Sequence, residues 1–335
     1  MNPLFGASTG FLQTHDIYGG SWNIELGFDP FLFSFIRNGS NMKALIVFVV
    51  CLSTISYIEG TLEEDLDKLQ QDFSNWLFSE NPQFATSINI HKYDDRLDDY
   101  SLDVFDRWKN AVDGYLQQLA AIPRNSLSAK YKIDFDIFEN FLKTYQEGYN
   151  WKDYNPLNPI NFLEGPHIDP DYLVSITPQN TRGDFENFIA RIEGFPKQFS
   201  CSRLKARFKK AVSQGNTYNN VSIFKVPSMI DHGITSRPED FSFYSPFNDT
   251  LDNITTIPNN IKTDLRDRAK TAINSYFHSL RDVKTYLTTD YFQHLRDSYG
   301  VSGWDRGSHY YTSVLQWHLS LPLTPDEVHQ KDWMK

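Results

Sequence analysis

Apolar positions recur every three or four residues along most of this chain, the period of an amphipathic helix, and no convincing period-two series appears. Leu62, Leu66, Leu69, Phe73 and Trp76 are spaced 4, 3, 4 and 3. Thr61 and Glu64 form a capping box that starts this helix, and Asn81-Pro82 ends it. A polar connection with five Asp between Asp94 and Asp103 leads to a second helix. Ser101 is its expected cap, Leu102, Phe105, Trp108, Val112, Tyr115 and Leu119 form its stripe, and Pro123 closes it. A third helix is expected over about 128–145, with Ile133, Ile137, Phe138, Phe141, Leu142 and Tyr145 inward. Further helices are predicted over 184–194 and 202–213, the second ending before Gly215. The longest periodic segment is capped by Asn259 or Asn260 and runs through Leu265, Ala269, Ala272, Tyr276, Leu280, Val283 and Leu287. A break near Thr288-Thr289 and a restart through Tyr291 to Gly300 follow. Proline and glycine interrupt 148–180 and 216–258, which read as structured loops. The expected fold is mainly α: one large, irregular helical domain with long Pro/Gly-rich loops.

Near the carboxy end Gly303-Trp304-Asp305-Arg306-Gly307-Ser308-His309-Tyr310-Tyr311 reads as a tight loop in which Gly303 and Gly307 supply positive φ. A helix follows to Leu319, with Tyr311, Val314, Leu315 and His318 at helical spacings. Thr324-Pro325-Asp326-Glu327 is a second capping box, opening a helix that the chain barely begins before Lys335. That pattern reads as truncation at the carboxy terminus.

The amino-terminal part differs. Residues 1–41 are Gly-, Phe- and Asn-rich, a poorly defined extension. Residues 42–60 begin with Met42-Lys43 and then carry no charge until Glu59. A basic residue, a short apolar run and small residues near Ser56 and Gly60 describe a secretory signal peptide whose true start is Met42. With initiation at Met1, residues 43–58 would instead be an uncleaved signal anchor; the bland alternative is a buried core helix. Residues 61–335 then form an incomplete helical domain. Four Asn-x-Ser/Thr triplets accompany the export signal, at Asn38, Asn220, Asn248 and Asn253, the last three in polar, turn-rich stretches suited to glycosylation. Cys51 lies in the apolar run, so Cys201 would be alone and no internal disulfide is expected.

The net charge of -10 and pI of 5.4 argue against a nucleic-acid partner, whose phosphates need clustered Lys and Arg. The basic run Arg203, Arg207, Lys209 and Lys210 reads as the solvated face of a helix. The 26 Phe, 18 Tyr and 7 Trp read first as a Phe-rich core and second as groove-lining side chains. None of the nine histidines stands in a His-Glu-x-x-His arrangement. There is no nucleophile elbow, phosphate loop or dinucleotide fingerprint. Asp94 with Asp95, or Asp134 with Asp136, reads as loop acid rather than a catalytic pair. The chain contains no self-sufficient catalytic set.

The Gly303–Tyr311 loop and the block Leu323-Thr324-Pro325-Asp326-Glu327-Val328-His329 resemble the family catalogued as domain of unknown function 885. Pro82-Gln83-Phe84-Ala85-Thr86 and the Phe185 to Phe195-Pro196 region fit more loosely, so the resemblance spans roughly 62–335. It implies a mostly helical domain and a zinc-dependent peptidase whose His-Glu-Ala-x-Pro-Gly-His element lies downstream of the Thr-Pro block. This chain has no counterpart of that element. No catalytic or metal ligand carries over, and no cofactor is assigned to this chain, zinc being expected of the full-length protein. Tyr310, Tyr311 and His329 match positions of the family pattern and are the candidate substrate-binding residues, with a packed Tyr pair anchoring the loop as the alternative. The partners implied are a peptide substrate or a carboxy-terminal half; a membrane enters only through an anchor at 43–58. The function implied is the amino-terminal fragment of a secreted, metallopeptidase-like hydrolase. The competing reading is a non-catalytic secreted or membrane-anchored module that binds peptide or protein.

Overall fold

The computed structural model describes residues 61–168 and 170–333. The readings on 1–41, 42–60, Asn38 and Cys51 lie outside the described residues. The described chain is mainly α, and its one extended pairing is an isolated parallel bridge between Asn219 and Arg296.

Helix α1 (Leu62–Glu80) starts at the expected capping box: Glu64 N–H donates to Thr61 Oγ1 at 3.2 Å, and Thr61 N–H to Glu64 Oε2 at 2.7 Å. Pro82 opens the short α2 (Pro82–Ser87). The second long helix is α3 (Val104–Ala120), and here the expected cap fails. Ser101 lies before the helix and gives its N–H to Asp99; Asp103 precedes the first turn without a side-chain cap bond.

Helix α4 (Ala129–Tyr149) is longer than the period suggested, and its inward face is rotated. Phe135, Phe138, Leu142 and Tyr145 are buried, whereas Ile133 and Ile137 are 61% and 64% exposed. The sequence stripe was therefore too wide. On a helix of about 100° per residue, Ile133 and Ile137 lie well round from the Phe138–Leu142 line.

Next come α5 (Pro170–Ile176), α6 (Arg182–Gln198) and α7 (Leu204–Gln214). Helix α6 is extended by a box that sequence reading missed, Thr181 with Asp184. It also carries Pro196 two residues before its end, which leaves the Ile192 carbonyl without its i→i−4 donor. Gly215 closes α7 at φ 70°, a left-handed position suited to glycine. Within 216–258 fall α8 (Asn220–Ile223), α9 (Val226–Gly233) and α10 (Ser245–Asp249).

Helix α11 (Asn259–Thr289) is about 45 Å long at 1.5 Å per residue and lies along α6. Neither Asn259 nor Asn260 caps it; Pro258 occupies the cap position without a side-chain bond. Beyond it the expected restart shrinks to one 3₁₀ turn, Tyr291–His294. Helices α12 (Gly307–Leu319) and α13 (Pro325–Trp333) complete the described chain. The Thr324–Glu327 box forms as expected, with Glu327 N–H donating to Thr324 Oγ1 at 3.3 Å.

Two aromatic-rich cores result. The first gathers α6, α9, α10 and α11 around Phe188, Phe195, Phe243 and Tyr276. The second gathers α1, α3, α4 and α12 around Phe73, Trp108, Tyr145 and Trp151. Helix α7 joins them, giving Leu204 and Phe208 to one and Ala211 to the other. The aromatic count is thus largely spent on core.

The glycines of the Gly303–Gly307 loop work differently from expectation. Positive φ falls on Gly300 and Arg306, at 68° and 51°. Gly303 and Gly307 are needed for space: a Cβ on Gly307 would stand 1.9 Å from the Val301 carbonyl oxygen.

Candidate functional site

The three sequence-derived binding residues do not share one environment. Tyr310 is 3% exposed, stacked on Tyr154 at 5.4 Å and edge-on to Trp151 and Trp304 at 5.7 and 5.4 Å. Burial raises its phenol pKa above the ordinary range. Tyr311 is about 100° further round the helix and is exposed. His329 is exposed on α13. Tyr310 therefore anchors the loop, and Tyr311 and His329 are surface groups. The sequon residues Asn220, Asn248 and Asn253 are all exposed.

The densest buried polar chemistry lies elsewhere, in a seam contributed by the 81–101 segment, α6 and α7. Arg191 enters the seam from the apolar stripe of α6 and is fully buried. Its Nε donates to Arg96 O at 2.9 Å, and its Nη2 donates to Thr86 Oγ1 at 2.8 Å and Tyr93 O at 3.1 Å. Asp94 Oδ1 is 3.7 Å from that Nη2 and receives Thr86 Oγ1–H at 2.6 Å, while Asp94 Oδ2 faces His91 Nδ1 at 2.9 Å. Burial lowers the pKa of Arg191, and the charge of Asp94 opposes that.

Arg207 repeats the device on α7. Its guanidinium donates to the carbonyls of Tyr100, Pro156 and Asp99 at 2.9, 3.2 and 3.2 Å, and lies over the rings of Tyr100 and Phe105. Burial brings its pKa down to about 10. Asp99 is held below the usual carboxylate range. Burial works against this, but bonds from Ser101 and the guanidinium groups of Arg203 and Arg107 outweigh it. Asp98, next to it, is raised by burial.

The basic run of α7 is therefore not a solvated face. Arg207 is core, Arg203 is tied to Asp99, and Lys210 pairs with Asp153 at 2.5 Å. A signal existed in the sequence: Arg191 lies three residues after Phe188 and four before Phe195, and Arg207 three after Leu204 and four before Ala211, both on the apolar face of a helix.

A second polar group lies where the cores meet. Tyr291 Oη donates to Asn158 Oδ1 and Tyr218 Oη to Asn158 O, both at 2.6 Å, and Asn161 Nδ2 donates to Tyr218 Oη at 3.2 Å. These groups bind one another, which makes them a positioning network rather than a free reactive set.

The zinc that the resemblance implies does not fit here. Among the described residues no three His, Cys, Asp or Glu side chains converge as a metal requires. His91 is engaged by Asp94 and Asn89, His232 by Ser228 O, and His167 is buried alone. The carboxylate pairs are likewise structural: Asp94 serves Arg191, and Asp136 binds Arg124 at 2.5 and 2.6 Å. Among the described residues no helix is long and apolar enough to cross a membrane.

Another part of the surface exposes apolar side chains. Helices α4 and α12 run antiparallel, since Phe141 and Tyr145 meet Trp317 while Ser313 reaches Glu147. That covers the 141–149 part of α4 and leaves Ile133 and Ile137 bare. Leu319 and Leu321 at the end of α12 are exposed too.

Comparison with known proteins agrees with this architecture. A crystal structure of a protein described as "putative lipoprotein", from Colwellia psychrerythraea, superposes with a TM-score of 0.71 at 14% identity. The match covers 81% of this chain and 48% of that one, so the chain spans about half the length of the Colwellia protein. The likeness is one of fold. None of the curated proteins matches the chain. Residues 82–334 match the family described as bacterial protein of unknown function DUF885, and the chain belongs to that family.

Proposed function

We propose that residues 61–333 are the helical, amino-terminal half of an extracellular or membrane-associated peptide hydrolase of metallopeptidase type, whose metal-binding set lies outside these residues. The observation that carries this reading is the set of exposed apolar side chains on α4 and at the end of α12, Ile133, Ile137, Leu319 and Leu321. A layer contributed by more of the same protein would cover them, and the superposed Colwellia protein has about twice the aligned length. The export signal read in residues 42–60 and the lipoprotein description of the Colwellia protein support the location.

In this reading the present chain does no bond-breaking chemistry. Its buried guanidinium groups fix α2, α6 and α7 rigidly, and its outer face forms one wall of a peptide groove. Zinc, when bound by the other half, would supply an activated water.

Purified from its source, the protein is expected to hydrolyse fluorogenic peptides, to lose that turnover with 1,10-phenanthroline and to regain it with zinc. Turnover indifferent to chelator, or none with intact protein, would contradict the reading. Glycosidase treatment of secreted protein is expected to increase its gel mobility by the glycans on Asn220, Asn248 and Asn253; unchanged mobility would remove the glycosylation arm.

A further inference from the structure

We propose that residues 159–168 form an acid-released strap, held closed by a neutral His167 and opened when that imidazole takes up a proton. The strap lies over the first core and is pinned at three points. Phe162 N–H donates to Ser222 O at 3.0 Å, Asn161 Nδ2 to Tyr218 Oη at 3.2 Å, and Tyr276 Oη to Pro166 O at 3.2 Å. Between the second and third pins Gly165 takes φ 130° and its bare Cα lets the His167 ring fold back on it. A Cβ there would sit 3.0 Å from His167 Nδ1. His167 is 8% exposed, and among the described residues neither ring nitrogen has a hydrogen-bond partner.

A neutral imidazole tolerates that position at a modest cost, whereas an imidazolium without partners does not. The titratable groups on the strap and at its pins offer no compensation. Tyr276 and Tyr218 are phenols that burial keeps protonated, and Glu164, on the strap itself, has its carboxyl pKa raised by burial. Asp169 lies outside the described residues. Burial alone lowers the His167 pKa, to about 4.

The open strap binds a proton near the ordinary histidine pKa of ~6.5 and the closed strap only near 4, so acid favours opening. Linkage of one proton makes the open-to-closed ratio rise roughly fiftyfold from pH 7 to pH 4.5. Opening would uncover Ile160 and loosen Asn161 from Tyr218, giving solvent a path to the Asn158–Tyr291 network.

Hydrogen exchange of amides 160–168, corrected for intrinsic rates, tests this in the full chain at pH 7, 5.5 and 4.5. Accelerated exchange of the strap with α11 amides unmoved is expected, as is a flat profile in His167→Gln. A strap whose exchange ignores pH, or a His167→Gln strap that opens in parallel with wild type, would overturn the proposal. Should the variant not fold, imidazole NMR of the wild type decides. A His167 resonance that titrates near 6.5 with the strap still protected overturns it, and one that stays neutral until the strap opens supports it.

Discussion

Arg191→Ala is expected to lower the unfolding free energy by about 3–5 kcal/mol, because it strands Asp94 and two carbonyls in the interior. The guanidinium is the common partner of Thr86, Tyr93 and Arg96, so its loss frees α2 and the 91–97 turn from α6 together. The effect is one of an uncompensated buried charge. Arg191→Ala combined with Asp94→Asn should therefore recover a good part of the loss, as a double-mutant cycle in urea would show. Equal destabilisation of single and double variants would mean that the seam is packing rather than charge. Arg207→Ala should cost less, since it leaves carbonyls and ring faces but no carboxylate within bonding distance.

Gly307→Ala is the second large effect, roughly 3 kcal/mol of destabilisation from overpacking. The added methyl would meet the Val301 backbone, which cannot rotate away as a side chain would. To accommodate it α12 must shift, and α12 carries Tyr310 into the Trp151–Tyr154–Trp304 cluster. Near-ultraviolet dichroism should fall along with the melting temperature. Gly300→Ala, at φ 68° in open space, should cost about 1 kcal/mol and leave the aromatic signal intact. A Gly307→Ala protein with wild-type stability and dichroism would show that the loop is looser than described.

How much of this was legible beforehand depends on the kind of signal. Helices announced by apolar period and a Thr-x-x-Glu box, such as α1 and α13, were readable because both cues are local. Ile133 and Ile137 were misplaced because period alone gives a stripe without its centre, which is set by α1, α3 and α12 packing around α4. The Asn259 or Asn260 cap and the Ser101 cap failed for a similar reason: capping residues abound near helix starts, and tertiary context chooses among them. The Gly303–Gly307 loop was found, yet Gly307 answers to the Val301 carbonyl and Gly303 to the Ser298 side chain, contacts no spacing encodes. Arg191 and Arg207 were hidden in plain view, as charges on inward helical positions. The family resemblance was read from the carboxy-terminal loop and block, whereas the family match extends over residues 82–334, and in that loop Tyr310 is an anchor of the fold.

Intact mass and bound metal of the native protein, captured from its source by antibody against residues 61–333 and enzymatically deglycosylated, test the central claim most directly. The account predicts a species clearly heavier than the 39.0 kDa of the present chain, with one zinc per molecule. A folded, zinc-free species no heavier than 39.0 kDa would contradict it and point to a binding module.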